Sequence, residues 1–262
     1  MFGVEIRRAL RRPRTYVLGA CLVAVSTLPI LTISGGDTGG PPFLNLLARS
    51  GFVGSLLALV IMQPLFLPVG TGLLAGETIS QEASWGTLRY LLVRPVGRTT
   101  LILHKYAAVM LQLALAMLLV AVVGLIAGGL AFGLHPLPTL GGPALSMGDS
   151  LVRIAAAWAY IVLGVAGLGA LGVFLSTLTD SAPAAIVATV GLAIVSQILD
   201  HITALSWLHP FLLSHAWLAF AGLFRSPISW SGMAQGLWIA LAYTGLFLGA
   251  AIWRFSGKDI AS

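Results

Sequence analysis

The sequence predicts an all-α membrane protein: one transmembrane domain over 1–262 with six transmembrane helices, an interfacial helix at 1–14 and a short re-entrant element before the last span. Three observations predict it. Of 262 residues, 58% are hydrophobic and 8% are charged, against about 25% charged in soluble domains. Charge-free apolar runs recur at lengths that cross a bilayer. Lysine and arginine collect in alternate loops. Thirty-one glycines fit the same class, because small residues let membrane helices approach closely. Cys21 is the single cysteine, so it forms no internal disulfide. The formal charge of +6 fits loop charges that orient a membrane protein. Membrane lipid is the expected surroundings, and no nucleic-acid partner is expected.

A helix needs about 20 apolar residues to cross the hydrocarbon core. The runs that qualify are Thr15 to Ile33, Gly51 to Ala75, Tyr106 to Gly133, Ile154 to Leu178, Ala184 to Leu199 and Gly236 to Trp253. They are continuously apolar, without the alternation of a membrane barrel. The first run is longer than a secretory signal core, and no small-x-small site follows it before Gly35. Within 200–235, the apolar stretch Phe211 to Phe224 is short for a span and reads as re-entrant or interfacial. A seventh span there is the competing count.

Six spans put both termini on one side. That side holds Arg7, Arg8, Arg11, Arg12, Arg14, Arg89, Arg94, Arg98, Lys105, Arg254 and Lys258. The other holds Arg49, Arg153 and Arg225. Cytoplasmic loops carry the excess of lysine and arginine, so both termini are expected in the cytoplasm, with the chain in the plasma membrane. A seventh span would move Arg254 and Lys258 outside. At the N-terminus, Phe2, Ile6, Ala9 and Leu10 share one helical face, Arg7, Arg11 and Arg14 line another, and Pro13 ends or kinks the helix. Such a helix lies in the interface, with its arginines toward anionic headgroups.

The segment from Gly76 to Arg98 carries two of the eight acidic residues, Glu77 and Glu82, and three arginines. Thr78 or Ser80 can cap a short helix on which Ile79, Ala83 and Gly86 share a stripe. Arg94-Pro95 ends it, since the residue before proline avoids the α region. On spacing alone this is equally a solvated connector. The run Gly76-Glu77, Glu82, Gly86-Thr87-Leu88, Leu91-Leu92, Arg94-Pro95, Arg98 and Lys105 resembles the signature of ABC type-2 permeases, the membrane subunits of ATP-binding-cassette exporters. The layout of the whole chain is similar as well. The resemblance implies that this loop, 76–99, carries a coupling helix docked on an ATPase. It implies that role for Glu77, Glu82, Gly86, Thr87, Arg89, Arg94, Pro95 and Arg98. It also implies export driven by a cytosolic ABC ATPase subunit, and a pore completed by a second copy or a homologous permease. The sequence contains no Gly-x-x-x-x-Gly-Lys-Ser/Thr loop. No cofactor is therefore expected on this chain, and ATP and magnesium belong to the partner.

Other features point less far. Gln63, Pro64 and Pro68 in the second run, with Gln197 in the fifth, read as a translocation pathway or as a packing kink. Each proline frees a carbonyl, and an amide at depth faces protein or a cavity rather than lipid. No run carries a charge near its centre, which argues against a proton-coupled antiporter. Asp180 and Ser181 before Pro183 are placed to cap the fifth run. Gly129 and Gly133 form a small-x-x-x-small pair suited to a helix contact. Asp200, His201, His209 and His215 are of metal-binding types, but their spacing matches no established site, so interfacial histidines are the expectation and no metal is assigned. No nucleophile with a base, and no carboxylate pair, falls at membrane depth. The expectation is a transport subunit with no catalytic residue. An intramembrane enzyme or a membrane scaffold is the alternative.

Overall fold

The computed structural model describes residues 13–34, 50–84, 97–139 and 142–256. The helices among them are α1 (Pro13–Ser34), α2 (Phe52–Met62), α3 (Phe66–Gly76), α4 (Ser80–Ser84), α5 (Arg98–Phe132), α6 (Met147–Gly164), α7 (Ala166–Leu178), α8 (Ala182–Asp200) and α9 (Ser231–Ser256). A two-stranded antiparallel hairpin, β1 (Leu137–Thr139) with β2 (Gly142–Leu145), joins α5 to α6. Four helical units are long and apolar enough to cross a membrane: α5, α6 with α7, α8 and α9. The pair α2 and α3, bent by 58°, makes a fifth if taken as one broken span. The chain is a membrane protein, nearly all helical. The apolar part described for α1 is Gly19–Ile33.

The helices outrun the apolar windows for local reasons. α6 begins at Met147 because Ser146 caps it: its hydroxyl accepts from the Asp149 amide at 3.1 Å and donates to the Asp149 carboxylate at 2.8 Å. An acidic first turn also suits the positive helix end. α5, at 35 residues, is about 52 Å long at 1.5 Å per residue. It exceeds the roughly 30 Å of hydrocarbon and projects at one end or both. Gly133 stops it with φ +73°, a left-handed conformation that glycine adopts without a Cβ clash.

α7 is the centre of the bundle. Two-thirds of the α6–α7 span window is buried (67%), against 33%, 22% and 17% for α5, α8 and α9. Small residues make this possible. A Cβ on Gly167 would lie 2.8 Å from the Tyr243 Cβ of α9, one on Gly172 would lie 2.6 Å from the Ala75 Cβ of α3, and one on Gly169 would lie 3.3 Å from the Met110 sulfur of α5. Lipid gives helices no hydrophobic reason to associate, so close van der Waals approach is the available attraction.

The tightest seam joins α2 to α5. A Cβ on Gly51 would fall 2.6 Å from the Gly129 Cα, and one on Gly54 would fall 2.5 Å from the Gly124 carbonyl oxygen. A Cβ on Gly128 would collide with the Gly51 carbonyl oxygen. Ser55 donates to the Ala121 carbonyl across the seam at 2.9 Å, and the Gly51 amide donates to the Gly133 carbonyl at 2.8 Å. The pair Gly129 and Gly133 thus serves a contact within one chain, where Gly124 and Gly128 face the partner helix.

The segment between α8 and α9 folds as three short 3-10 helices, Thr203–Leu205, His209–Phe211 and Trp217–Phe224. The longest has eight residues, about 16 Å at 2.0 Å per residue, half of what a span requires. A seventh helical span therefore does not form there. The segment is tied to α6: Tyr160 donates to the Ala216 carbonyl at 2.6 Å, and Arg153 donates to the Leu223 carbonyl. Trp207, Phe211 and Trp230 are exposed, as amphipathic and aromatic rings at a membrane interface are. The interfacial helix expected at 1–14 lies almost wholly outside the described residues.

Candidate functional site

The break between α2 and α3 is built by two prolines, and each freed carbonyl finds a substitute donor. Pro64 offers no N–H to Val60, and the Gln63 amide takes the Val60 carbonyl instead at 3.2 Å. Pro68 offers no N–H to Pro64. The Pro64 carbonyl is taken by the Gln197 side-chain amide of α8 at 2.9 Å. Two of the expected pathway residues are therefore in direct contact, 133 positions apart. Pro68 is buried beside them in α3.

Gln63 is the anomaly at this joint. It is 2% exposed, and neither its Nε2 nor its Oε1 has a hydrogen-bond partner. Leaving a buried amide unpaired costs about 1–3 kcal/mol. Native structures keep few such groups, and each needs an explanation. Amides and carbonyls of this kind bind polar groups by hydrogen bonds without exchanging a proton near neutral pH.

Below the break, α3 runs antiparallel along α8. A Cβ on Gly72 would lie 2.6 Å from Val190, and one on Gly76 would lie 2.9 Å from the Ile186 amide nitrogen. Gly76 leads directly into the loop expected to couple. There Lys105 of α5, 4% exposed, donates to the Thr78 carbonyl at 2.7 Å and pairs with Glu82 Oε1 at 2.8 Å. The Thr78 hydroxyl shares a hydrogen bond with Ser176 of α7 at 3.2 Å. The start of the loop is thus clamped to three spans, at Lys105, Ser176 and Ile186. Arg98, at the other end of the loop, donates to the Ser256 carbonyl at 2.7 Å and the Phe255 carbonyl at 3.3 Å. It holds the last turn of α9, where a cation suits the exposed carbonyls.

Several details differ from the sequence reading. Thr78 and Ser80 do not cap α4: both hydroxyls donate backward, to the Ala75 and Gly76 carbonyls at 2.6 Å. Ser181 occupies the cap position of α8 without a side-chain capping bond. Glu82 pairs with a buried lysine of α5, so it supports a membrane helix rather than standing clear of the spans. Glu77 is half-buried where α3 ends. Gly86, Thr87, Arg89, Arg94 and Pro95 lie outside the described residues; of the stripe that Gly86 would complete, Ile79 is buried and Ala83 lies in α4. The clamp was missed because Lys105 and Ser176 carry no local signal for partners 23 and 98 positions away. The glycine seam did have one, Gly124-x-x-x-Gly128 in an apolar helix.

A family model described as "Protein of unknown function (DUF2705)" matches residues 22–261. The chain belongs to the DUF2705 family. No curated protein matches it. The match reaches from α1 through α9 and includes the break, the clamp and the loop between them, so all of these lie inside one family domain.

Proposed function

We propose that this DUF2705 protein is the membrane-spanning permease subunit of an ATP-driven exporter, energised by a separate cytosolic ABC ATPase and completed by a second permease copy or a homologue. The observation that carries the reading is the clamp. A force applied to the loop 76–98 reaches α5 through Lys105, α7 through Ser176, α8 through the Gly76–Ile186 contact and α9 through Arg98. It also reaches the break, because α3 leads straight from the loop to Pro64. A connector has no need of such attachments; a coupling element does. The unpaired Gln63 amide at the break is then a polar point for the translocation pathway, together with Pro64, Pro68 and Gln197.

In this reading the chain crosses six times, counting α1 and the broken pair as one span each. Both termini are cytoplasmic in the plasma membrane. The Arg98 link to Ser256 supports the start of α5 and the end of α9 lying on one side, as the lysine and arginine asymmetry requires. The large lipid-facing or partner-facing surfaces of α8 and α9 support assembly with a second permease. ATP and magnesium act on the partner; this chain supplies no catalytic group.

The test is purification of the complex from native membranes. A stoichiometric subunit with a phosphate-binding loop is expected to co-purify, and its ATP hydrolysis should be linked to transport in reconstituted vesicles. Gly86→Trp should release the ATPase or uncouple it. Full coupled transport in that variant would reduce the loop to a connector. Transport by the purified chain without ATP would overturn the exporter reading, and the absence of both transport and a bound ATPase would favour an enzyme or a scaffold.

A further inference from the structure

At the end of α8, one turn beyond Gln197, three side chains converge that are far apart in sequence. Asp200 ends the helix, His209 opens the second 3-10 turn and His215 follows that turn. One ligand atom from each lies within 4.8 Å of the others. The His215 Nδ1 donates to Asp200 Oδ1 at 2.5 Å, and the two imidazole centroids are 5.8 Å apart. We propose that Asp200, His209 and His215 form a binding site for a divalent transition-metal ion of the zinc type. This proposal is independent of the exporter reading.

The donor set suits such an ion. Two neutral imidazoles and a carboxylate are the borderline nitrogen and oxygen ligands that zinc, copper and nickel take, and three protein ligands leave a position for water. Ligand atoms around a tetrahedral zinc, at bonds of about 2.0–2.1 Å, lie about 3.3 Å apart. A spread of up to 4.8 Å exceeds this by at most about 1.5 Å, which the ion must draw in. On binding, the ion takes the place of the proton held between His215 and Asp200, as metal binding commonly releases protons from its ligands.

The surroundings orient these ligands before any ion arrives. The ring of His209 contacts the Ile202 carbonyl through Nε2 at 3.1 Å. A carbonyl only accepts, so Nε2 carries the hydrogen and Nδ1 keeps a lone pair for a metal. A backbone carbonyl on the far nitrogen of a ligating histidine is the usual supporting contact. Ser214, the neighbour of His215, is buried and shares a 2.8 Å hydrogen bond with Ser196 of α8, whose oxygen also accepts from the Ser214 amide at 3.3 Å. That clip sets the height of His215 against Asp200. His201 points elsewhere: its Nδ1 donates back to the Gln197 carbonyl at 2.7 Å.

The probe is zinc ion, titrated against a chromophoric chelator into the tag-free full-length protein in detergent, with thermal unfolding followed in parallel. One zinc per chain is expected, with a rise in unfolding temperature on addition of zinc. Asp200→Asn, nearly isosteric, and His215→Gln should each weaken binding at least tenfold. The double variant H209A/H215A should lose both the binding and the thermal shift. His201→Ala, the control, should keep both. If a variant fails to fold, Asp200→Asn still decides the matter, because it removes the charge and preserves the shape. Equal zinc binding in wild type, D200N and the double variant would overturn the site, as would no binding by the wild type.

Discussion

The two halves of the broken helix are both packed through glycines, but they differ in the polar contacts added to that packing. α2 is packed backbone to backbone against α5 through Gly51, Gly54, Gly124 and Gly128, with Ser55 paired across the seam. α3, beyond the joint, is held by α7, α8 and the loop clamp, and the joint itself contains an amide with no partner. One half has no room to shift by the width of a methyl group. The other is also close-packed, through Gly72 and Gly76 on α8 and through Ala75 against Gly172 of α7, but its joint and its loop end are fixed by polar contacts at Gln197, Ser176 and Lys105. Under the exporter reading, the comparison places the joint at Pro64 as the hinge: α2 and α5 touch backbone to backbone, and α3 is the half that the loop attaches to.

The largest expected effect breaks the seam between α2 and α5. Gly128→Val places a side chain on the Gly51 carbonyl, and overpacking costs about 1–3 kcal/mol, occasionally more. Here the obstacle is backbone on a helix face, so a loss of about 3 kcal/mol or more is expected. The readout is thermal unfolding in detergent, with Gly70→Val as a control at a position with open space. A melting point unchanged from wild type would show that the seam is not close-packed.

A middle-sized effect tests the clamp. Glu82→Ala leaves the Lys105 ammonium, 4% exposed, without one of its partners, and stability should fall by about 1–3 kcal/mol. The double variant E82L/K105M removes both charges and should recover much of that loss, because deleting a buried pair is milder than orphaning one member. Under the exporter reading, the double variant should still be poorly coupled. If the single and double variants were equally stable, the ion pair would contribute nothing to holding the loop.

The smallest effect concerns the joint. Gln63→Leu replaces an unpaired buried amide by an apolar group of similar size and should stabilise the protein by about 1 kcal/mol. Gln197→Leu orphans the Pro64 carbonyl and should destabilise it by a similar amount. Opposite signs in the two melting curves would sharpen the assignment of Gln63 as retained for something other than stability. Loss of stability in both variants would mean that Gln63 has a structural partner in the membrane.

Much of the architecture was legible because its cause is local. Apolar run length, proline position and the distribution of lysine and arginine mark α5, the joined α6 and α7, α8 and α9 within a few residues at most ends. The boundary errors also have local causes: the Ser146 and Asp149 cap starts α6 seven residues early, and the 35 residues of α5 begin at Arg98, before the apolar run. The site was legible only in pieces. Gln63, Pro64, Pro68 and Gln197 stood out as polar or helix-breaking residues at depth, yet nothing local paired Gln197 with the carbonyl that Pro68 frees. Glu82 stood out in a charged loop, but its lysine partner lies two turns inside another helix. The three metal-type ligands stood out by type, and their spacing concealed them, since His209 and His215 sit on turns with no regular period.

The sequence by itself determined that this chain is a helical membrane protein, roughly where its long helices fall and which prolines could kink the second one. Hydrophobic run length and a missing proline N–H act on the nearest few residues, so neighbours in sequence suffice to decide them. Tertiary structure alone decided that the break is closed by Gln197, that Lys105 binds the loop, that Gly51 and Gly128 weld α2 to α5, and that Asp200, His209 and His215 meet. Each of those is a contact of a few ångströms between residues many positions apart, set by how helices register when their backbones touch, and no property of either residue taken alone encodes that register.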